Sequence, residues 1–152
     1  FHDIADAKFN KGDETLAVTQ TEQWFMDENA EKQTIESVLH IVKNISWRKQ
    51  YQFSPNQYPE LAVVQDADRL DAIGAVGIAR AFSFGGFAKR PIHIPDSEKE
   101  RVQGKQDTIS HFYEKLLYIK DSLHTNHARH LAKGRHEFML QFLNQINKEL
   151  MD

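Results

Sequence analysis

Cysteine is absent from the sequence. Disulfides and thiolate-bound zinc are therefore excluded, any metal must be held by histidine and carboxylate side chains, and the chain suits a reducing compartment. No apolar run approaches the ~18 residues of a membrane-spanning helix, and the start lacks the basic-then-apolar pattern of a secretory leader. A soluble, cytoplasmic protein with no membrane partner is the expectation. Basic charge is not in excess either. The 19 Lys and Arg against 22 Asp and Glu give a formal net charge of -3, with no broad basic field, so duplex nucleic acid is not an expected partner, while small anions stay open. Internal repeats are missing, as is any strand alternation long enough to build a sheet; "RPIHI" could form at most a short extended piece.

What is present is ordinary globular material. Of the 152 residues, 40% are hydrophobic and ten are Phe, enough for one domain spanning 1–152 with a core of its own. The pattern is helices punctuated by loops, an all-α class. Residues 1–9 look like the end of a helix closed at "NKGDET", where Gly12 suits the left-handed conformation. A second helix covers about 30–46, with Ile35, Val38, Leu39, Val42 and Ile45 at helical spacing. After "RKQYQFSPNQYP", Pro59 fits the first turn of the next helix. Residues 60–84 read as one central helix stopped by Gly85 and Gly86. The charged loop "FAKRPIHIPDSEKERVQGKQ" follows, and two amphipathic helices, about 107–123 and 125–150, close the chain.

The central helix carries an anomaly. A heptad-like stripe runs Leu61, Val64, Asp68, Asp71, Ala75, Ile78 and Phe82, while Val63, Ala67, Leu70, Gly74, Gly77 and Ala81 leave the other side apolar or small. The helix is thus expected to be buried nearly all round, with Asp68 and Asp71 inside. A buried carboxylate needs a cation, a metal or several donors. Arg69 and Arg80 could supply the charge as a structural ion pair.

The opening "FHDIADAKF" offers another partner. His2 and Asp3 side by side supply one imidazole nitrogen and one carboxylate oxygen, a set suited to manganese, iron or zinc, and Asp6 follows on the same helical face. A His-Asp dipeptide taken alone is more often a surface pair or cap.

Together, "HDIADAKF" and the distant "QDADRLDAIGAVGIARAF" resemble the HD-domain metal-dependent phosphohydrolases. Within that superfamily the chain is similar to the bacterial YpgQ/YedJ-like hydrolases, sharing the "GG…RPI" loop and the "HFYEKL" stretch from His111 to Leu116. The resemblance implies an all-α HD-domain helical bundle with a buried central helix, with His2, Asp3 and Asp68 as metal ligands. Asp6 is implied as the acid/base or phosphate-contacting residue. Lys8, Arg69, Asp71 and His111 are the substrate-binding candidates, and Lys89 and Arg90 are candidates to close over a triphosphate. The implied cofactor is a divalent metal ion, manganese first, with iron, zinc, nickel or magnesium as alternatives. The implied partner is a small-molecule nucleotide, and a homodimer stays open. In that family a further ligand His precedes the His-Asp pair, and this chain begins one residue before the pair; removal of amino-terminal helices is the expectation.

The resemblance implies release of pyrophosphate from a nucleoside triphosphate. A phosphomonoesterase, a cyclic-nucleotide phosphodiesterase and a non-catalytic nucleotide-binding regulatory module are the alternatives. Outside this pattern, His124, His127, His130 and His136 cluster around the last interhelix turn and read as a hydrated surface rather than a second metal site. Trp24, Phe25 and Met26 read as a core-packing anchor.

Overall fold

The structure, a computed structural model, describes residues 4, 10, 13, 15–47, 52–95 and 107–150. The described residues are helical and irregular, with no strand among them, as the all-α expectation requires. "RPIHI" is irregular rather than a strand. The proposed helix end at 1–9 and Gly12 fall largely outside the described residues. Two compact units divide the chain between Gln65 and Asp66.

In the first unit α1 (Leu16–Asp27) packs on α2 (Lys32–Asn44). Its buried side chains include Ala17, Thr21, Leu39, Ile45, Leu61 and Ala62. Thr21 satisfies its buried hydroxyl by donating to the Ala17 carbonyl at 2.7 Å. Asn29 ends α1 in the left-handed region at φ 55°. Its N–H donates to the Met26 carbonyl and the Ala30 N–H to the Phe25 carbonyl, both at 3.0 Å, the paired bonds of a Schellman ending. α2 lies where its apolar spacing predicts it, whereas α1 occupies a stretch with no clear helical pattern. Val18, Thr19 and Thr21 weaken helix propensity there, and apolar residues fall on several sides. Trp24 and Met26 are 45% and 53% exposed, so the expected core anchor is instead largely solvated, with Phe25 half-buried.

α3 (Pro59–Asp71) begins at the expected proline. The central helix does not continue to residue 84, however: α3 stops at Asp71 and α4 (Gly74–Phe87) leaves at 69° to it. The break lies at Ile73, extended at φ -125° and ψ 165°, and at Gly74, whose φ of +77° favours glycine. At the break the Leu70 carbonyl accepts both the Ile73 N–H at 3.3 Å and the Arg135 guanidinium at 2.5 Å. Burial is one-sided too, with Val63 57% and Val76 58% exposed. No single helix among the described residues is long and apolar enough to cross a membrane.

Gly85 and Gly86 do not stop α4 either. The helix runs through both to Phe87 and ends in the left-handed Lys89, φ 54°. The last two elements match expectation in extent, and the second also in type. The span 107–123 divides into α5 (Thr108–Glu114) and a 3-10 helix (Leu116–Ser122), and α6 covers Asn126–Glu149. Phe82 of α4, Phe112 of α5 and Phe142 of α6 meet with ring centroids 5.7 to 6.1 Å apart. Met139, Leu143, Ile119 and Leu123 complete this second core.

Candidate functional site

The last turns of α3 hold Asp66, Asp68, Arg69 and Asp71. The buried stripe of α3 is Leu61, Ala62, Gln65, Asp66 and Arg69, a true 3.6-residue period, whereas the heptad stripe drifted off it. Asp66 is therefore the enclosed acid, only 3% exposed. Asp68 sits half-buried at the margin, and Asp71 is exposed and paired with Arg80 across the helix break. This corrects the expectation that Asp68 and Asp71 both lie inside. Asp66 went unnoticed, although its spacing of three from Arg69 was a visible signal.

Asp66 accepts the backbone N–H groups of His124 and Thr125, each at 2.8 Å. Arg69, 9% exposed, donates Nη1 to the Ser122 carbonyl at 2.5 Å and meets His124 Nε2 at 2.9 Å. A guanidinium can only donate, so His124 Nε2 is the acceptor and that ring is neutral. Burial, with the charges of Arg69 and Arg129, holds the His124 pKa below its ordinary value against the opposing pull of Asp66. Burial likewise lowers the Arg69 pKa, and the nearby Asp66 and Asp68 carboxylates counter it. The arginine remains a cation, since its ordinary pKa is so far above neutrality.

Among the described residues no three His, Asp or Glu side chains could together hold a metal. His2, Asp3, Asp6 and Lys8 lie outside the described residues. The donor chemistry fits: carboxylate and imidazole suit a divalent ion. His111 is half-buried on α5, and Lys89 is exposed. The Arg90 guanidinium lies 5.6 Å over the Phe84 ring, a cation–π arrangement. His127 and His130 are exposed, as expected of a hydrated surface. His124 and His136 are not: His124 belongs to the Arg69 network, and His136 is half-buried with Nδ1 enclosed.

No protein-family model matches the chain. Individual proteins do. The sequence is 37% identical to Bacillus subtilis YpgQ over 150 residues, 98% of this chain and 68% of the relative. The crystal structure of YpgQ in complex with ADP aligns with a TM-score of 0.71 at 40% identity, over 88% of this chain and 64% of that one. A Bacillus thuringiensis HD-superfamily hydrolase aligns with a TM-score of 0.69 at 36% identity, over 98% and 69%. The chain belongs to the YpgQ-like HD superfamily. It spans about two thirds of the length of these relatives.

Proposed function

We propose that this chain is a divalent-metal-dependent HD phosphohydrolase acting on nucleotides, with nucleoside triphosphate pyrophosphohydrolysis as its leading activity. The observation that carries the reading is the likeness to YpgQ, a relative solved in complex with ADP. The half-buried Asp68 on α3 supports it, as does the His-Asp pair in the sequence.

Asp68, His2 and Asp3 would hold the ion, which when bound supplies a water of lowered pKa and polarises a phosphoryl oxygen. Asp6 would orient that water or take its proton. Lys8 offers positive charge against the phosphate chain, and His111 a further donor. Arg69 makes a strained candidate for direct phosphate contact, because its Nη1 already serves Ser122 and His124.

The test is metal content together with manganese-dependent turnover of a nucleotide panel, with Asp68→Ala measured in parallel. One bound ion and released pyrophosphate, both lost in the variant, is the expected result. Orthophosphate or a ring-opened monophosphate as product would change the bond assigned, and bound metal without turnover would make the protein a nucleotide-binding module.

A further inference from the structure

We infer that Asp66, Arg69 and His124 form a positioning network that sets the orientation of Asp68; this rests on the reading of Asp68 as a metal ligand. At 100° per residue, Asp68 points about 200° round the helix axis from Asp66 and about 100° from Arg69. The network therefore grips α3 from its buried side while Asp68 looks out at the margin.

The grip falls where α3 needs it. The helix ends at Asp71, where the Ala72 and Ile73 N–H groups close its last turn on the Arg69 and Leu70 carbonyls at 3.2 and 3.3 Å, and the chain then turns 69° into α4. Lateral bonds add to this short ending. Asp66 takes the His124 and Thr125 N–H groups at 2.8 Å each. Arg69 reaches the Ser122 carbonyl and His124 Nε2 at 2.5 and 2.9 Å. Arg135 closes the Leu70 carbonyl at 2.5 Å. These bonds fall on the residues that flank Asp68 in sequence, and their receiving segment, 122–125, is itself anchored. The Thr125 hydroxyl caps α6 by accepting the Ala128 N–H at 3.2 Å, and Arg129 Nε donates to the Leu123 carbonyl at 3.0 Å.

His124 is the informative member. It contributes a single acceptor to Arg69 through its side chain, and its backbone bond to Asp66 survives substitution. Glutamine can present an oxygen acceptor there, whereas leucine cannot. Arg69→Lys keeps the charge but loses the fork that serves two acceptors at once.

The experiment titrates Mn2+ into the full protein by calorimetry, with circular dichroism and thermal melts confirming that each variant is folded. His124→Leu and Arg69→Lys are each expected to weaken Mn2+ binding about 10-fold, in the range seen when supports behind metal ligands are removed, and His124→Gln to restore most of it. Parental Mn2+ affinity in folded His124→Leu, or in Arg69→Lys should the first variant not fold, would overturn the positioning role and leave a purely structural tie. Asp68→Ala separates the two readings. If it binds Mn2+ as tightly as the parent, the ligand assignment itself fails; if it alone loses binding, only the positioning inference does.

Discussion

Gly85 of α4 faces Thr108 of α5 so closely that a Cβ on the glycine would meet the threonine Oγ1 far inside van der Waals contact. Two effects oppose each other in Gly85→Ala. Alanine gains about 1 kcal/mol of helix propensity, but forcing a methyl into a closed contact costs about 1–3 kcal/mol. The Thr108 hydroxyl also donates to the Pro91 carbonyl at 3.3 Å, which restrains it from yielding. Net destabilisation of about 1 kcal/mol is expected by denaturant unfolding. The cost should shrink in a Thr108→Ala background, because the clashing oxygen is gone. An additive double mutant would refute the contact as the cause.

Lys89 ends α4 at φ 54°, a region that costs a residue bearing a Cβ about 1 kcal/mol. Paired bonds hold it there, from the Lys89 N–H to the Gly86 carbonyl at 3.1 Å and from the Arg90 N–H to the Gly85 carbonyl at 2.8 Å. Lys89→Gly should raise stability by about 0.5–1 kcal/mol, measured as a shift in unfolding midpoint without a change in slope. A loss of nucleotide affinity in the same variant would show that the exposed ammonium has a use worth the strain.

Most of the helices were legible in the sequence because their apolar residues recur at the helical period, as in α2 and α6. The break between α3 and α4 was not, since Gly74 inside an apolar run looks like one more small residue until its backbone angle is known. The same error displaced the buried acid: a seven-residue stripe selects Asp68 and Asp71, while the real turn of 3.6 residues encloses Asp66 and Arg69. The two glycines at 85 and 86 resemble a helix stop, and only the proximity of Thr108 reveals the first as a packing residue. Of the proposed ligands, Asp68 stood out as a carboxylate in an apolar context, while His2 and Asp3 lie outside the described residues. The role of His124 was hidden, because its partner lies 55 positions earlier in the chain.

Asp107 joins two functions in one carboxylate. Oδ1 accepts the Ser110 N–H at 2.5 Å as the cap of α5, and Oδ2 accepts the Ile94 N–H at 2.8 Å. Burial alone would raise its pKa, but the Ser110 bonds, the Ile94 N–H and the nearby His93 outweigh burial and hold it below the ordinary 3.8. A folded-state pKa below the unfolded one means the charged form favours folding. The contribution is complete above about pH 4, where the unfolded carboxyl is also ionised, and is lost as pH falls through the lowered value. Asp107→Ala should cost about 1–3 kcal/mol at pH 7 by leaving buried donors unmet. Its melting temperature should fall less than the parent's between pH 5 and pH 2; parallel acid profiles would refute the assignment.

Asp66 and Asp71 stand five residues apart on one helix, and loss of their interactions should differ in cost. Asp71 meets Arg80 on the surface, with both side chains more than half exposed, where water screens the pair and side-chain entropy offsets its attraction. Arg80→Ala should change stability by less than about 0.5 kcal/mol. Asp66 is enclosed, and its two acceptor bonds fasten the start of α6. Asp66→Ala strips partners from the His124 and Thr125 N–H groups and removes the larger of the two carboxylate charges acting on Arg69, so a loss of about 2–4 kcal/mol is expected. Equilibrium unfolding of the two variants side by side checks both. Equal losses would mean that the burial which distinguishes the two acids does not govern their contributions.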